Sequence, residues 1–374
     1  MYIQSDDYNV IAETILGQEI RSHDLFVLLL AESDALDAKA LIERLNTAGL
    51  PFIGGIFPGV IHNSKLYKQG VVAKKLQAIA PPVIMSGLNT SGYEWPDLKT
   101  VLSGPEKPVT AWIMIDGLMS NIAHFLSGLY DRLGDQVNFI GGGAGSLSLR
   151  QQPCLLTPDG LLQDAAVIAF LDYDTHLGVK HGWKRLAGPI VATRTAQNVI
   201  CELNWEEAFT VYKNYIEKDC GCAITEDNFF EVAKGYPFGI YKSNAEEVIR
   251  DPIAVNSEGG LVCVGEVPEN TVLNIMKGTA DNLIASAAEA VEETLARSQN
   301  TEAMVRHTMV VDCVSRALFL EDRHEEELER INKRIKAVRS EVSPQGMLSL
   351  GEISSYGEGY LEFFNKTIVI GSLY

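Results

Sequence analysis

Fully apolar runs and amphipathic segments alternate in the first half of the chain. LFVLLLAES (25–33) is apolar at nearly every position, which is typical of a strand buried on both faces. DALDAKALIERLNTAGL (34–50) then carries apolar residues at helical spacing. VTAWIMIDG (109–117) and NIAHFLSGLYDRLGD (121–135) repeat this order, so the pattern predicts two strand–helix units in succession.

The tetrapeptide Phe-Ile-Gly-Gly follows each of these helices, first at 52–55 and again at 139–142. Short alternating segments broken by turn residues come after each copy, as expected of hairpins. The strand, the helix, the tetrapeptide and the hairpin therefore occur twice in the same order. We predict an internal duplication, with units at about 24–80 and about 108–172.

The second tetrapeptide continues into a glycine-rich run that contains Gly141, Gly142, Gly143 and Gly145. A nucleotide-binding glycine loop opens a helix, but here SLSLRQQP (146–153) follows, which alternates like a strand and contains proline. A glycine turn between strands is the favoured interpretation. The alternative is that exposed amides of Gly141, Gly142 and Gly143 line a ligand cavity.

The second half begins with strand-like sequence. GPIVATRTAQNVICELNW (188–205) alternates between apolar and polar residues, which predicts two strands. Asn204 is expected to cap a helix over WEEAFTVYKNYIEK (205–218). Further along, Thr279 or Asp281 is expected to open another helix.

That helix is expected to end near Arg297 and to be followed by a strand, TMVVDCVSRALFL (308–320). A charged helix, EDRHEEELERINKRIKAV (321–338), comes next. Four of its apolar residues lie on one face: Leu328, Ile331, Ile335 and Val338. We expect this stripe to pack on a sheet, with a partner-binding helix as the alternative.

Helices mixed with largely antiparallel strands predict an α+β fold. A length of 374 residues suits two domains, each with its own core. We place two mixed α/β domains at 1–187 and 188–374, the first of which contains the duplication.

Charge and hydropathy exclude several classes of partner. The formal net charge of −18 repels phosphate backbones and anionic headgroups, so neither nucleic acid nor a membrane surface is an expected partner. The longest apolar runs are too short to cross a bilayer. The opening MYIQSDDYNV is polar and has no export leader, so we expect a cytoplasmic protein.

The six cysteines lie far apart, except for Cys220 and Cys222. This spacing predicts reduced thiols rather than a disulfide framework. Cys220-Gly221-Cys222 is interpreted as a turn after a helix, because a zinc site would need more Cys or His ligands at short spacing.

Several segments of the chain, taken together, resemble the FIST family. They are FIGGIFPG, FIGGGAGS, HGWKRLAGP, VATRTAQNVICELNWEEAFTVYKNYI, VDCVSRALFL, LGEISSYGE and FFNKTIVI. The resemblance begins at about Asp24 and covers nearly all of the remaining chain, with the N-terminal part of the family before the C-terminal part. It implies a sensory protein of signal transduction that binds a small ligand, with amino acids among the candidates.

A bacterial branch of the family is similar to haem-binding nitric oxide sensors. Those sensors act on histidine kinases or cyclic-di-GMP enzymes that are separate chains, so the resemblance implies such a partner. A homo-oligomer is also compatible with this function. Haem is the cofactor that the resemblance implies, and a sensor of amino acids or related metabolites without haem is the alternative.

His181 and Trp183 lie at the predicted domain junction, where ligand sites are frequent. Together with the resemblance, this makes His181 a candidate for an axial bond to haem iron, with Trp183 beside the cofactor. The alternative is that His181 hydrogen-bonds across the junction while Trp183 packs. His176 is expected to face the opposite way, so a shared metal is not expected.

Arg316 is the centre of a second candidate site, next to Asp312 and Cys313. Its planar guanidinium suits a carboxylate, so an amino-acid ligand could bind Arg316 together with Glu352 or Asn365. The alternative is an internal ion pair between Arg316 and Glu352 that holds strands together.

A cysteine-dependent enzyme is the rival class, with Cys313 as nucleophile and His181 as base. The chain has no local nucleophile motif such as GxSxG, which weighs against catalysis. An interaction protein without a ligand is the third class, and it would have a filled domain junction. We favour the ligand-binding sensor.

Overall fold

The computed structural model describes residues 1–90, 92–101, 109–242, 246–296, 304–355 and 361–374. They form a mixture of helices, mixed sheets and one barrel, so the predicted α+β class is confirmed. No helix among these residues combines the length and the apolar character that a membrane span needs.

The first unit begins the chain. Its elements are β1 (Tyr2–Ile3), α1 (Tyr8–Leu16), β2 (Asp24–Ala31), α2 (Ala38–Thr47), β3 (Phe52–Phe57), β4 (Val60–His62), β5 (Lys65–Tyr67) and β6 (Val71–Gln77). Asp37 caps α2 by accepting a hydrogen bond from the Ala40 amide. The predicted all-apolar strand is β2, which is buried at every position.

The second unit repeats this order. Its elements are β7 (Val83–Met85), α3 (Leu98–Val101), β8 (Val109–Asp116), α4 (Ile122–Leu133), β9 (Val137–Ala144), β10 (Leu155–Thr157), β11 (Gly160–Leu162) and β12 (Ala166–Leu171). Here β8 is the strand that is buried at every position. Each tetrapeptide lies in the third strand of its unit, β3 or β9.

A barrel follows the edge strand β13 (Thr175–Lys180). Its elements are β14 (Lys184–Ala196), β15 (Val199–Leu203), β16 (Glu206–Glu207), α5 (Ala208–Cys220), α6 (Phe229–Ala233), β17 (Phe238–Ile240), β18 (Val248–Val255), β19 (Leu261–Val264) and β20 (Thr271–Lys277). The long strand β14 pairs with both β20 and β15, which closes the sheet on itself.

The chain then completes a third unit that begins with β13. The remaining elements are α7 (Ala280–Ala296), β21 (His307–Cys313), α8 (Val314–Leu320), α9 (His324–Val338), β22 (Pro344–Ser349), β23 (Glu352–Ser355), β24 (Leu361–Phe364) and β25 (Ile368–Leu373). The described residues thus contain the same order three times: an edge strand, a helix, a parallel strand pair, a hairpin and a final strand. The barrel is an insertion in the third copy. The predicted domain boundary at 187–188 lies within β14 and stays a prediction.

The three sheets of the units are built alike. Each contains a parallel pair, β2–β3, β8–β9 or β21–β22, flanked by the final strand and the edge strand of the same unit. The remaining two strands of each six-stranded sheet are a hairpin from another unit. The hairpin β10–β11 pairs with β3, β23–β24 pairs with β9, and β4–β5 pairs with β22. This cyclic exchange locks the units together, and their inner faces share one core with the barrel.

One glycine in each parallel pair lies opposite a carbonyl group of the neighbouring strand. Gly54, Gly141 and Gly346 are the three, and a Cβ on any of them would press on the carbonyl oxygen of the strand beside it. The third unit therefore has the same close approach without the tetrapeptide, which is why the sequence pattern revealed only two copies.

Three local predictions differ from the structure. Asn204 lies in a turn with φ 52° and accepts a hydrogen bond from the Val191 amide, while α5 begins only at Ala208. The predicted strand 308–320 ends at Cys313, and α8 begins at Val314. The sulfur atoms of Cys220 and Cys222 form a disulfide, which the expectation of reduced thiols did not include.

Other local predictions agree with the structure. The helix predicted from Thr279 or Asp281 is α7. The charged helix is α9, and its residues Leu328, Ile331 and Ile335 are buried. Val338, the last residue of the predicted stripe, is 56% exposed because α9 ends there.

Candidate functional site

A cavity of about 830 Å³ lies where the second unit, the barrel and the third unit meet. Helix α4 forms one wall, β18 and β19 contribute a second, and α8 and β24 contribute a third. The size is within the range of sites for small molecules and cofactors.

Apolar side chains cover most of the cavity wall. Ile122, Leu126 and Tyr130 recur every fourth residue on α4, so they lie on one helix face, and that face lines the cavity. Phe363 of β24 lines it as well, and the partly exposed Leu318 of α8 contributes to its rim. This region can bind the apolar body of a ligand.

Asn365 is the polar side chain that is most completely removed from water at this cavity. It follows β24, lines the cavity and is only 1% exposed. Among the described residues, neither its Oδ1 nor its Nδ2 has a hydrogen-bond partner. Because a buried carboxamide without partners is unfavourable, this side chain is suited to pair with a ligand.

Arg250 also lines the cavity, and protein atoms hold most of its guanidinium. Its Nε donates to the carbonyl oxygen of Glu266 at 2.8 Å, and Nη1 donates to the carbonyls of Ile249 and Phe363 at 3.0 Å each. Nη2 has only a long contact of 3.4 Å with Oε1 of Glu362. Arg250 is therefore fixed in place and retains donor capacity on Nη2.

The two cysteines at the cavity are poorly suited to catalysis. Cys263 and Cys313 are both buried, and burial raises the pKa of each thiol well above its usual range. Neighbouring Glu352 raises the pKa of Cys313 further. A protonated thiol is a weak nucleophile, and His181, the base expected for an enzyme, does not line this cavity.

His181 and Trp183 lie outside the cavity, in the turn between β13 and β14. Nδ1 of His181 accepts a hydrogen bond from the Trp183 amide at 2.9 Å, and Nε1 of Trp183 donates to the Lys366 carbonyl at 3.1 Å. Burial, with help from the cationic Arg316, lowers the pKa of His181 to about 3. The imidazole is therefore neutral at physiological pH.

The surroundings of His181 do not fit haem. Its Nε2 has no hydrogen-bond partner among the described residues, as an axial ligand would require, but Oε1 of Glu246 lies 3.9 Å away. An iron bonded at about 2 Å and its macrocycle would need the space on that side. Trp183, which was expected beside the cofactor, is 1% exposed and packs against Phe319.

Arg316 and Glu352 are both fully buried, and neither lines the cavity. Arg316 pairs with Glu327 at 2.6 Å and more distantly with Asp312 at 3.8 Å, and not with Glu352 as the sequence suggested. Glu352 instead accepts hydrogen bonds from Ser349 Oγ at 2.5 Å and from the Thr367 amide at 3.4 Å. Arg316 does not pair with Glu352 because the strand ends at Cys313, and Arg316 lies in the helix α8 rather than in an extension of β21.

Gly141, Gly142 and Gly143 are interior residues of β9, and none of them lines the cavity. The Gly143 amide donates to the Gly351 carbonyl at 2.8 Å, and the Gly143 carbonyl accepts from the Leu350 amide at 2.9 Å. These glycines therefore serve the packing of the strands rather than a ligand.

A cluster of Asp312, His324 and Glu327 has donor atoms within 4.8 Å of one another, which is a spacing that could hold a metal ion. Nε2 of His324 lies 2.7 Å from Oδ2 of Asp312. The guanidinium of Arg316 already neutralises Glu327, so an added cation would have to displace it. The cluster is best explained as a buried ion-pair network.

Of the predicted ligand-binding residues, the structure brings only Asn365 to the cavity. The sequence analysis missed Arg250 and the lining face of α4, although the spacing of Ile122, Leu126 and Tyr130 was visible. Such a stripe is also typical of a helix packed on a core, so it did not single out a cavity.

Comparison with known proteins agrees with this architecture. The chain matches the FIST N domain over residues 24–206 and the FIST C domain over residues 208–355. A search of curated proteins finds no match. The two domain matches cover nearly the whole chain in the expected order, and the chain therefore belongs to the FIST family.

Proposed function

We propose that this protein is a sensor whose small ligand binds in the cavity between α4, the barrel and the third unit. FIST domains are sensory domains that bind small ligands in signalling proteins. The observation that supports this location is the buried carboxamide of Asn365, which lines a cavity of about 830 Å³ and has no partner among the described residues.

The position of the cavity suits signalling because a ligand there contacts three parts of the fold at once. Tyr130 belongs to the second unit, Arg250 to the barrel and Asn365 to the third unit. A ligand that binds the folded arrangement of these parts stabilises it over others. The partner is then a separate histidine kinase or cyclic-di-GMP enzyme, as the family resemblance implies.

A cavity-filling variant tests the site. Ala123 lines the cavity from the exposed side of α4, so Ala123→Trp occupies ligand space without disturbing the core. Ala35→Trp, at an exposed position away from the cavity, is the matched control. In a thermal-shift screen of amino acids and small apolar amides, we expect hits that stabilise the native protein and the control but not Ala123→Trp.

A hit that stabilises Ala123→Trp as strongly as the native protein would place the ligand elsewhere. The visible spectrum of protein purified from haem-supplied cells is the second measurement. We expect no Soret band. A band that is lost in His181→Ala would replace this proposal with a haem sensor for nitric oxide.

A further inference from the structure

We infer that the cavity selects a neutral, largely apolar molecule that carries a carboxamide-like group, with a hydrogen-bond donor and an acceptor side by side. This inference rests on the proposed function and specifies the chemical class of its ligand. It depends on the buried amide of Asn365, the charge balance around Arg250 and the apolar wall of α4.

The side chain of Asn365 sets the polar requirement. Its Oδ1 accepts and its Nδ2 donates, and both atoms are buried without a partner among the described residues. A ligand carboxamide, lactam or similar heterocycle presents the complementary pair and satisfies both atoms at once. An ester satisfies only Nδ2, and an ammonium group satisfies only Oδ1.

Charges around the polar end favour a neutral ligand. Arg250 contributes a positive charge, and Glu362 contributes a negative one whose carboxylate also lies 3.3 Å from Nζ of Lys242. The exposed Glu266 adds a further carboxylate at the rim of the cavity. The positive and negative charges balance, so an ionic ligand gains no net attraction to offset its lost hydration, whereas a neutral carbonyl can accept from Nη2 of Arg250.

The remaining wall sets the apolar requirement. The cavity volume of about 830 Å³ is many times that of one carboxamide. The side chains of Ile122, Leu126 and Phe363 surround that extra space and offer no charge to a ligand. A ligand that fills the cavity therefore carries an apolar body beside its amide.

Four probes with a common apolar body test the class of ligand. They are 4-phenylbutanamide, methyl 4-phenylbutanoate, 4-phenylbutanoate and 4-phenylbutylammonium, with binding measured by calorimetry. We expect the native protein to bind the amide about tenfold more tightly than each of the others, the effect of one well-made hydrogen bond. Asn365→Leu should abolish the preference for the amide over the methyl ester while still binding both, because the charged groups that disfavour the two ionic probes remain.

Asn198→Leu is the matched control. Asn198 also lines the cavity, but its Nδ2 already donates to the Cys263 carbonyl at 2.9 Å, so the amide preference should survive its substitution. Asn365→Asp retains only acceptors and should shift the preference toward 4-phenylbutylammonium. Far-ultraviolet circular dichroism of each variant verifies that it is folded.

The outcomes separate this inference from the function on which it rests. If no probe and no screened compound binds, the cavity is not a ligand site and the proposed function fails. If the probes bind equally well, or if the preference for the amide over the methyl ester survives in folded Asn365→Leu, the ligand class is overturned while the site stands. Tighter binding of 4-phenylbutanoate would likewise overturn it.

Discussion

Arg316 and Glu327 form a completely buried ion pair, with Nη2 of the arginine 2.6 Å from Oε2 of the glutamate. The same guanidinium donates from Nη1 to the His181 carbonyl at 2.6 Å and from Nη2 to Ser286 Oγ at 3.2 Å. These bonds join the turn after β13 to α7 and α9. The pair therefore connects the turn that leads into the barrel to the helices of the third unit.

Removal of Arg316 alone should be costly. In Arg316→Met the carboxylate of Glu327 stays buried without its cation, which typically destabilises a protein by about 3–5 kcal/mol. Burial already raises the pKa of Glu327, so the carboxyl group should become protonated in this variant. Urea unfolding monitored by circular dichroism measures the loss.

The double variant Arg316→Met with Glu327→Leu is the control for this experiment. It removes both charges, so the free energy of unfolding should recover most of the loss. A double variant as unstable as Arg316→Met would contradict the ion-pair explanation.

Gly141→Ala and Gly346→Ala should each destabilise the protein by at least about 2 kcal/mol. Their added methyl groups would press on the carbonyl oxygens of Ile113 and Val310 in the adjacent strands. Gly92→Ala is the matched control, because a Cβ there meets no atom of the described residues within 4 Å. Thermal unfolding that leaves all three variants alike would disprove the close approach.

Lys74 should destabilise the folded state at neutral pH. It is 8% exposed, no carboxylate pairs with it among the described residues, and burial lowers its pKa from 10.5 to about 8. Below pH 8 the lysine is charged in both the folded and the unfolded state. The burial cost is then fully present, and a shift of this size corresponds to about 3 kcal/mol.

Lys74→Met should therefore raise the free energy of unfolding at pH 7 by a few kcal/mol. Between pH 8 and 10.5 the native protein loses this proton first in the folded state, so its stability rises and the advantage of the variant shrinks. Lys65→Met, at an exposed position, should change stability little. Chemical unfolding at pH 7 and pH 10 measures both effects, and a variant less stable than the native protein at pH 7 would refute the argument.

The local sequence alone predicted the elements whose hydrophobic pattern is strong. The apolar run of β2 and the helical spacing of α2 and α7 predict those elements, because burial on both faces or on one face leaves a local pattern. The order of motifs also indicated the family. The cap at Asn204 failed because β15 pairs with β16, and this pairing places Asn204 and Trp205 in the two-residue turn between the strands.

Only the tertiary structure decided how the units combine and where a ligand can bind. The third unit lacks the tetrapeptide, since Gly346 alone supplies the close strand approach that the motif supplies elsewhere. Asn365 was a candidate from sequence, but Arg250 and Leu126 were not, and these three meet only because the units and the barrel pack around one cavity. Residues that are far apart in the chain form the cavity, so no local hydrophobic pattern in the sequence predicts it.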